Sequence, residues 1–197
     1  MGEDDKYTYF GSGGVLVNAF DIRDGAKLDA AMNDYASVAM AALRVESAPD
    51  WPSRDYLTEI HTRMFARIVP GIAGRLRDVD VQASGTGIPY CRPEFIQEHL
   101  SALFNALDEE DYLTGLTGRA FADRLATCWG ELSAIHPFRD GNTRSQSFYV
   151  EMIAKRAGHP IDWLRIDVNI LRSLRMNAVA GRSKPLGEYL ETMFSAS

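Results

Sequence analysis

Between Gly118 and Ile135 the apolar side chains Phe121, Leu125, Cys128, Leu132 and Ile135 recur at spacings of 4, 3, 4 and 3, and Pro137 follows closely. That spacing predicts an amphipathic helix over 118–135. The proline disfavours the α conformation of the residue before it, so the helix stops at His136 and leaves an imidazole projecting from a packed support. The same periodicity predicts helices over 25–45, 54–68, 93–107, 142–157, 161–180 and 184–194, with Pro52 and Ser53 before the second and Gly158 after the fifth as ordinary start and stop signals. The expectation is an all-α, mainly helical chain of about seven helices.

Beyond His136 the chain runs Pro137-Phe138-Arg139-Asp140-Gly141-Asn142-Thr143-Arg144. Phe138 is the one large apolar residue of this loop, and it is expected to anchor the loop in the core. Asp-Gly signals a turn, and Asn142 is placed to cap the next helix. The loop therefore ends on a helix N-terminus, where the N–H groups of Gly141, Asn142 and Thr143 and the helix dipole favour an anion. Arg144 adds a permanent charge. Asp140 offers the hard oxygens that Mg²⁺ prefers when it bridges a protein carboxylate and substrate phosphates. Taken singly, each of these residues reads as part of a surface turn. A base, a carboxylate, a glycine turn and a cation within nine residues, between two patterned helices, point instead to a site for a phosphate ester.

These residues resemble the Fic domain family, whose motif is H-x-F-x-D/E-G-N-G-R-x-x-R. The match is at His136, Phe138, Asp140, Gly141, Asn142 and Arg144; Thr143 stands for the third small residue and Ser147 for the second Arg. The likeness extends to Tyr7-Thr8-Tyr9, Val15-Leu16-Val17-Asn18, Gly74-Arg75-Leu76-Arg77 and Pro93-Glu94-Phe95-Ile96. It implies a single Fic domain over 1–197, with the first 20 or so residues an extension and the catalytic loop at 136–144. It also implies transfer of AMP from ATP to a Ser, Thr or Tyr hydroxyl of a target protein. Under that resemblance His136 is the general base, Asp140 holds Mg²⁺, and Gly141, Asn142, Thr143 and Arg144 hold the phosphates. An unperturbed imidazole pKa of about 6.5 suits a base near neutrality.

The departures bear on the donor. In the family the second Arg contacts the terminal phosphate, a charge Ser147 cannot supply; Arg139 is the nearby cation expected to help. Thr143 brings a β-branched side chain to a position where backbone normally approaches phosphate. Transfer of another nucleotide or phosphate moiety is therefore the alternative reaction, and a catalytically degenerate binding protein the alternative class.

The family also carries a hairpin flap that registers its target by strand addition. Here Asp78-Val79-Asp80-Val81 alternates with period two, Ala83 to Gly87 supplies turn residues, and Ile88-Pro89-Tyr90 resumes an extended run, predicting a flap over about 78–90. Ser84, Gly85, Thr86, Gly87 and Ile88 are the expected target-binding residues, and Pro89 marks an edge strand.

Charge and composition exclude several classes. A net charge of −6 argues against direct nucleic-acid binding. Arg165, Arg172, Arg175 and Arg182 read first as a solvated face and second as a contact for an acidic partner. No apolar run approaches the roughly 18 residues of a membrane helix, and the acidic start is unlike a secretory leader, so a cytoplasmic home is expected. Cys91 and Cys128 read as reduced structural thiols, and His61, His99 and His159 as surface or capping residues. The family's inhibitory Glu precedes Gly or Asn, and no Glu of this chain does. The resemblance therefore implies the toxin half of a pair, with a small antitoxin supplying that Glu.

Overall fold

A computed structural model describes residues 4–47, 49–83 and 88–195. Helix α1, Gly25–Arg44, starts where the Asp24 carboxylate accepts the Lys27 N–H at 2.9 Å and buries Leu28, Met32, Ala36 and Leu43 on one face. Helix α2, Arg54–Phe65, buries Leu57, Ile60, His61, Met64 and Phe65. Helix α3, Pro93–Glu109, carries its proline in the first turn, where the missing N–H is harmless.

The centre is α4, Gly118–Ile135, which packs against α3, α5, α6 and α7 and is buried on nearly every face. Helix α5 is Asn142–Arg156, α6 is Val168–Val179 and α7 is Lys184–Glu191. Gly130 lets α6 cross α4 closely: a Cβ there would meet that of Ala178 at 2.9 Å. No helix among the described residues is long and apolar enough to cross a membrane.

Two expectations are corrected. The stretch 161–180 is not one helix. Ile161 instead forms an isolated antiparallel bridge with Phe194, a 3₁₀ turn follows at Trp163–Arg165, and α6 begins only where the Asp167 carboxylate accepts the N–H groups of Asn169 and Ile170. That cap is a stronger start signal than the apolar spacing upstream.

The hairpin over 78–90 is also not a strand ladder: among the described residues there are isolated bridges and no named strand. Its base is closed by a Gln82–Pro89 bridge, with Ala83 N–H donating to Ile88 O at 2.9 Å and Tyr90 N–H to Val81 O at 3.3 Å. Pro89 has no N–H to extend the pairing, and the first arm's polar groups go elsewhere, with Val79 O accepting from Arg77 and Asp78 taking Lys6 and the Tyr7 hydroxyl. Ser84, Gly85, Thr86 and Gly87 lie outside the described residues.

Candidate active site

Helix α4 ends at His136, whose N–H makes the last helical bond to Leu132 O at 3.0 Å and whose backbone is left-handed, with φ of 49°. For a residue with a Cβ this conformation costs about 1–2 kcal/mol. The Arg77 guanidinium offsets it. Only 3% exposed, it donates to the carbonyls of His136 (2.7 Å), Ile135 (3.2 Å), Val79 (2.9 Å) and Cys91. A cation over the C-terminal carbonyls of α4 also complements the helix dipole.

The loop beyond is tied down by side chains. Phe138 is fully buried, as an anchor should be. Asn142 clamps it, its Oδ1 accepting from Phe138 N–H at 2.9 Å and its Nδ2 donating to Phe138 O at 2.7 Å. The N-cap of α5 is thus Gly141 rather than Asn142, which is the first helical residue. Gly141 has φ of 76°, and a Cβ there would lie 2.3 Å from the Phe65 ring.

His61 lies beneath this loop with no exposed surface, stacked on Phe138 at a centroid distance of 3.8 Å. Its Nδ1 accepts from Gly74 N–H at 2.9 Å, so the ring proton sits on Nε2 and is donated to Asp140 O at 2.8 Å. Burial pushes its pKa down to about 4. The expectation of a surface or capping histidine is corrected: His61 is a buried prop of the loop.

The His136 ring opens onto a cavity of about 530 Å³ walled by Gln82, Ala83 and Tyr90 on one side and by Thr143 and Ser147 of α5 on the other. The volume suits a small-molecule ligand. Trp163, Ile166, Val168, Leu171, Met176 and Val179 form its apolar lining, Arg172 and Arg175 supply positive charge, and no Asp or Glu stands among the described lining residues. Tyr90 stacks flat on the imidazole, with centroids 3.7 Å apart and planes within 7°. Burial, then the charges of Arg77 and Arg175, push the His136 pKa down to about 3, against a hydrogen bond to the Ser133 backbone. The ring is neutral at physiological pH. A larger groove of about 710 Å³ shares Tyr90 but has no contact with His136.

Of the residues expected at the site, the cavity brings together His136 and Thr143. The Gly141 N–H is taken by Asp140 Oδ1 at 2.5 Å. Asp140 lines a smaller cleft with Gly13, Gly14 and Asp29. Arg144 turns toward α1, donating to Asn33 at 3.0 Å and pairing with Asp29 at 3.4 Å and Asp140 at 3.5 Å. Arg139 is held by Asp5 at 2.6 Å and does not line the cavity. The cations that do are Arg172 and Arg175, read from the sequence as a solvated face. Arg175 lies between Leu171 and Ala178 on the buried stripe of α6, and His61 between Leu57 and Met64 on that of α2. A polar residue on an apolar stripe was the available signal for both.

Residues 51–154 match the Fic/DOC family model. The chain is 33% identical over 163 residues to the Escherichia coli K12 protein named "Probable protein adenylyltransferase Fic", covering 83% of this chain and 78% of that one. It is 28% identical to the protein adenylyltransferase VbhT of Bartonella schoenbuchensis, over 92% of this chain and 37% of that one. Among solved structures, the BepC protein of Bartonella tribocorum with bound AMPPNP superposes with a TM-score of 0.88, at 26% identity and 97% coverage of both chains.

Proposed function

The chain belongs to the Fic/DOC family, and on that premise we propose that it transfers AMP from ATP to a Ser, Thr or Tyr hydroxyl of a target protein, with the cavity beside His136 as the nucleotide site. The observation that carries this reading is a neutral imidazole facing an arginine-bearing cavity, with no carboxylate among its described lining residues, at the start of a helix. The helix start leaves the amides of Asn142, Thr143 and Arg144 without partners inside the helix, which suits phosphate oxygens. The apolar lining at Trp163, Ile166 and Leu171 suits a nucleobase.

In the reaction the target's hydroxyl oxygen bonds to the α-phosphorus, the bond from that phosphorus to the bridging oxygen breaks, and pyrophosphate leaves. His136 takes the hydroxyl proton. Its resting pKa is low, and a bound polyphosphate places negative charge beside the ring and raises its proton affinity. No covalent enzyme intermediate is needed, because catalysis of this kind is positioning and charge stabilisation.

Asp140 is the residue that would hold Mg²⁺. Its carboxylate is 45% exposed, with Gly141 N–H and Arg144 on Oδ1, and one carboxylate plus substrate phosphates is a usual set for this ion. The chemistry such an ion would supply is neutralisation of charge on the phosphates.

The segment from Asp78 to Tyr90 is assigned as the flap that carries the target by strand addition, with Ser84, Gly85, Thr86, Gly87 and Ile88 as its target-binding residues. Pro89 supports an edge open to an extended peptide. Control of the site is assigned to a small antitoxin-type protein that supplies a glutamate. The whole chain is taken as one catalytic unit.

The test is incubation of wild type and His136→Ala with labelled ATP, GTP, UTP and CTP in turn, followed by mass spectrometry of the modified protein. Loss of the base should lower labelling by about 100-fold or more and leave ATP affinity intact. Equal labelling by both proteins removes His136 from the mechanism, and labelling by another nucleotide alone reassigns the donor.

A further inference from the structure

Arg175 is a buried charge without a counter-charge. It is 9% exposed, its Nη2 donates to the Ser133 hydroxyl at 3.0 Å and the Gln146 amide oxygen at 3.1 Å, both neutral, and its Nε is buried with no partner. Its guanidinium lies 5.0 Å from the Trp129 ring, which adds a weak attraction and no charge. Taking an unpaired ion out of water is strongly unfavourable unless something of opposite sign arrives. Among the described residues lining the cavity that Arg175 borders, no Asp or Glu supplies that charge. The charge is therefore held ready for an anionic ligand.

Its position says which part of the ligand. Thr143 and His136 mark the mouth of α5, where the reacting phosphate sits in the reading above. Gln146, the partner of Arg175, is three residues further along α5 than Thr143, about 5 Å along the helix axis. Beside it Ser147 reaches the cavity with a hydroxyl and no charge. Arg172 is one turn before Arg175 on α6, borders the same cavity and is exposed. We propose that Arg175, seconded by Arg172, is the receptor for the terminal phosphate of the nucleotide, supplied from α6 because the α5 wall carries no cation there. The inference rests on the nucleotide reading of the cavity and adds to it the residues that select a triphosphate over a monophosphate.

The experiment is calorimetric titration of the full chain with AMPPNP and with AMP, in the presence of Mg²⁺. Wild type should prefer AMPPNP, and Arg175→Gln should lower AMPPNP affinity by about 30-fold while leaving AMP within about twofold. The double variant Ser147→Arg, Arg175→Gln should recover most of that loss. Equal weakening of both ligands would mean that Arg175 acts through the fold alone, and an unchanged preference would mean that the phosphate is held elsewhere; either overturns the inference. If wild type binds neither ligand, the nucleotide reading itself fails first.

Because Arg175 is buried, Ser147→Arg alone decides if the Gln variant does not melt cooperatively. With the subsite already served, an added guanidinium gains less than about twofold in AMPPNP affinity, offset by repulsion from Arg175. A tenfold gain or more would reveal a vacant subsite and overturn the proposal.

Discussion

The Nε2–H of His61, on α2, is hydrogen-bonded to the backbone carbonyl of Asp140 at 2.8 Å, so a helix seventy-nine residues upstream holds the loop between α4 and α5 at its turn. The same ring accepts from Gly74 and stacks on Phe138. His61→Ala strands two half-buried backbone groups and opens a hole under the loop, and stability should fall by about 2–4 kcal/mol. Denaturant unfolding measures this. The variant should also lose about tenfold or more in kcat, although His61 does not line the cavity.

Gly141 is irreplaceable for two separable reasons, its φ of 76° and the Phe65 ring 2.3 Å from any Cβ. Gly141→Ala should cost about 2–4 kcal/mol in all. In a Phe65→Leu background the same substitution should cost only the backbone share, about 1 kcal/mol, and the double-mutant cycle reads the difference as the steric part. Equal costs in both backgrounds would remove the Phe65 contact from the account.

His61 and His136 both have folded pKa values, about 4 and about 3, below the ordinary 6.5. The unfolded chain therefore binds protons at these sites as pH falls below 6.5, while the folded chain does not. Folding stability is complete above 6.5 and declines from there until each folded value is reached, by up to about 1.4 kcal/mol per pH unit for each ring. Unfolding free energies across this range test it: His61→Gln should remove about half the slope. Ring nitrogen shifts in NMR should show both imidazoles neutral from about pH 8 to pH 5.

Arg77 lowers the pKa of His136 through its charge and does not figure among the causes acting on His61. Arg77→Met should raise the His136 pKa and leave that of His61 in place, read in the same NMR titration. It also frees the carbonyls of His136, Ile135, Val79 and Cys91, and a loss of about 3 kcal/mol in stability is expected. A His136 pKa that does not move would mean that burial and Arg175 set it without Arg77.

The sequence by itself determined the helices, their approximate ends and the loop between α4 and α5. Each depends on neighbours a few residues apart: the stripe from Phe121 to Ile135, the proline at 137, the glycine turn at 141. The Fic motif was legible for the same reason. Local spacing misjudged 161–180, where apolar periodicity runs on through a segment that instead pairs with Phe194.

Tertiary structure decided which charges face the cavity and which support the loop. Arg139, within the motif, is consumed by Asp5, while Arg175, thirty-one residues beyond Arg144, borders the cavity beside His136. Tyr90 reaches the His136 ring and His61 reaches Asp140 only because separate helices and loops pack around α4. Burial sets the free energy of a charge or a ring proton, and burial belongs to the assembled chain, so no spacing within one segment could have shown it.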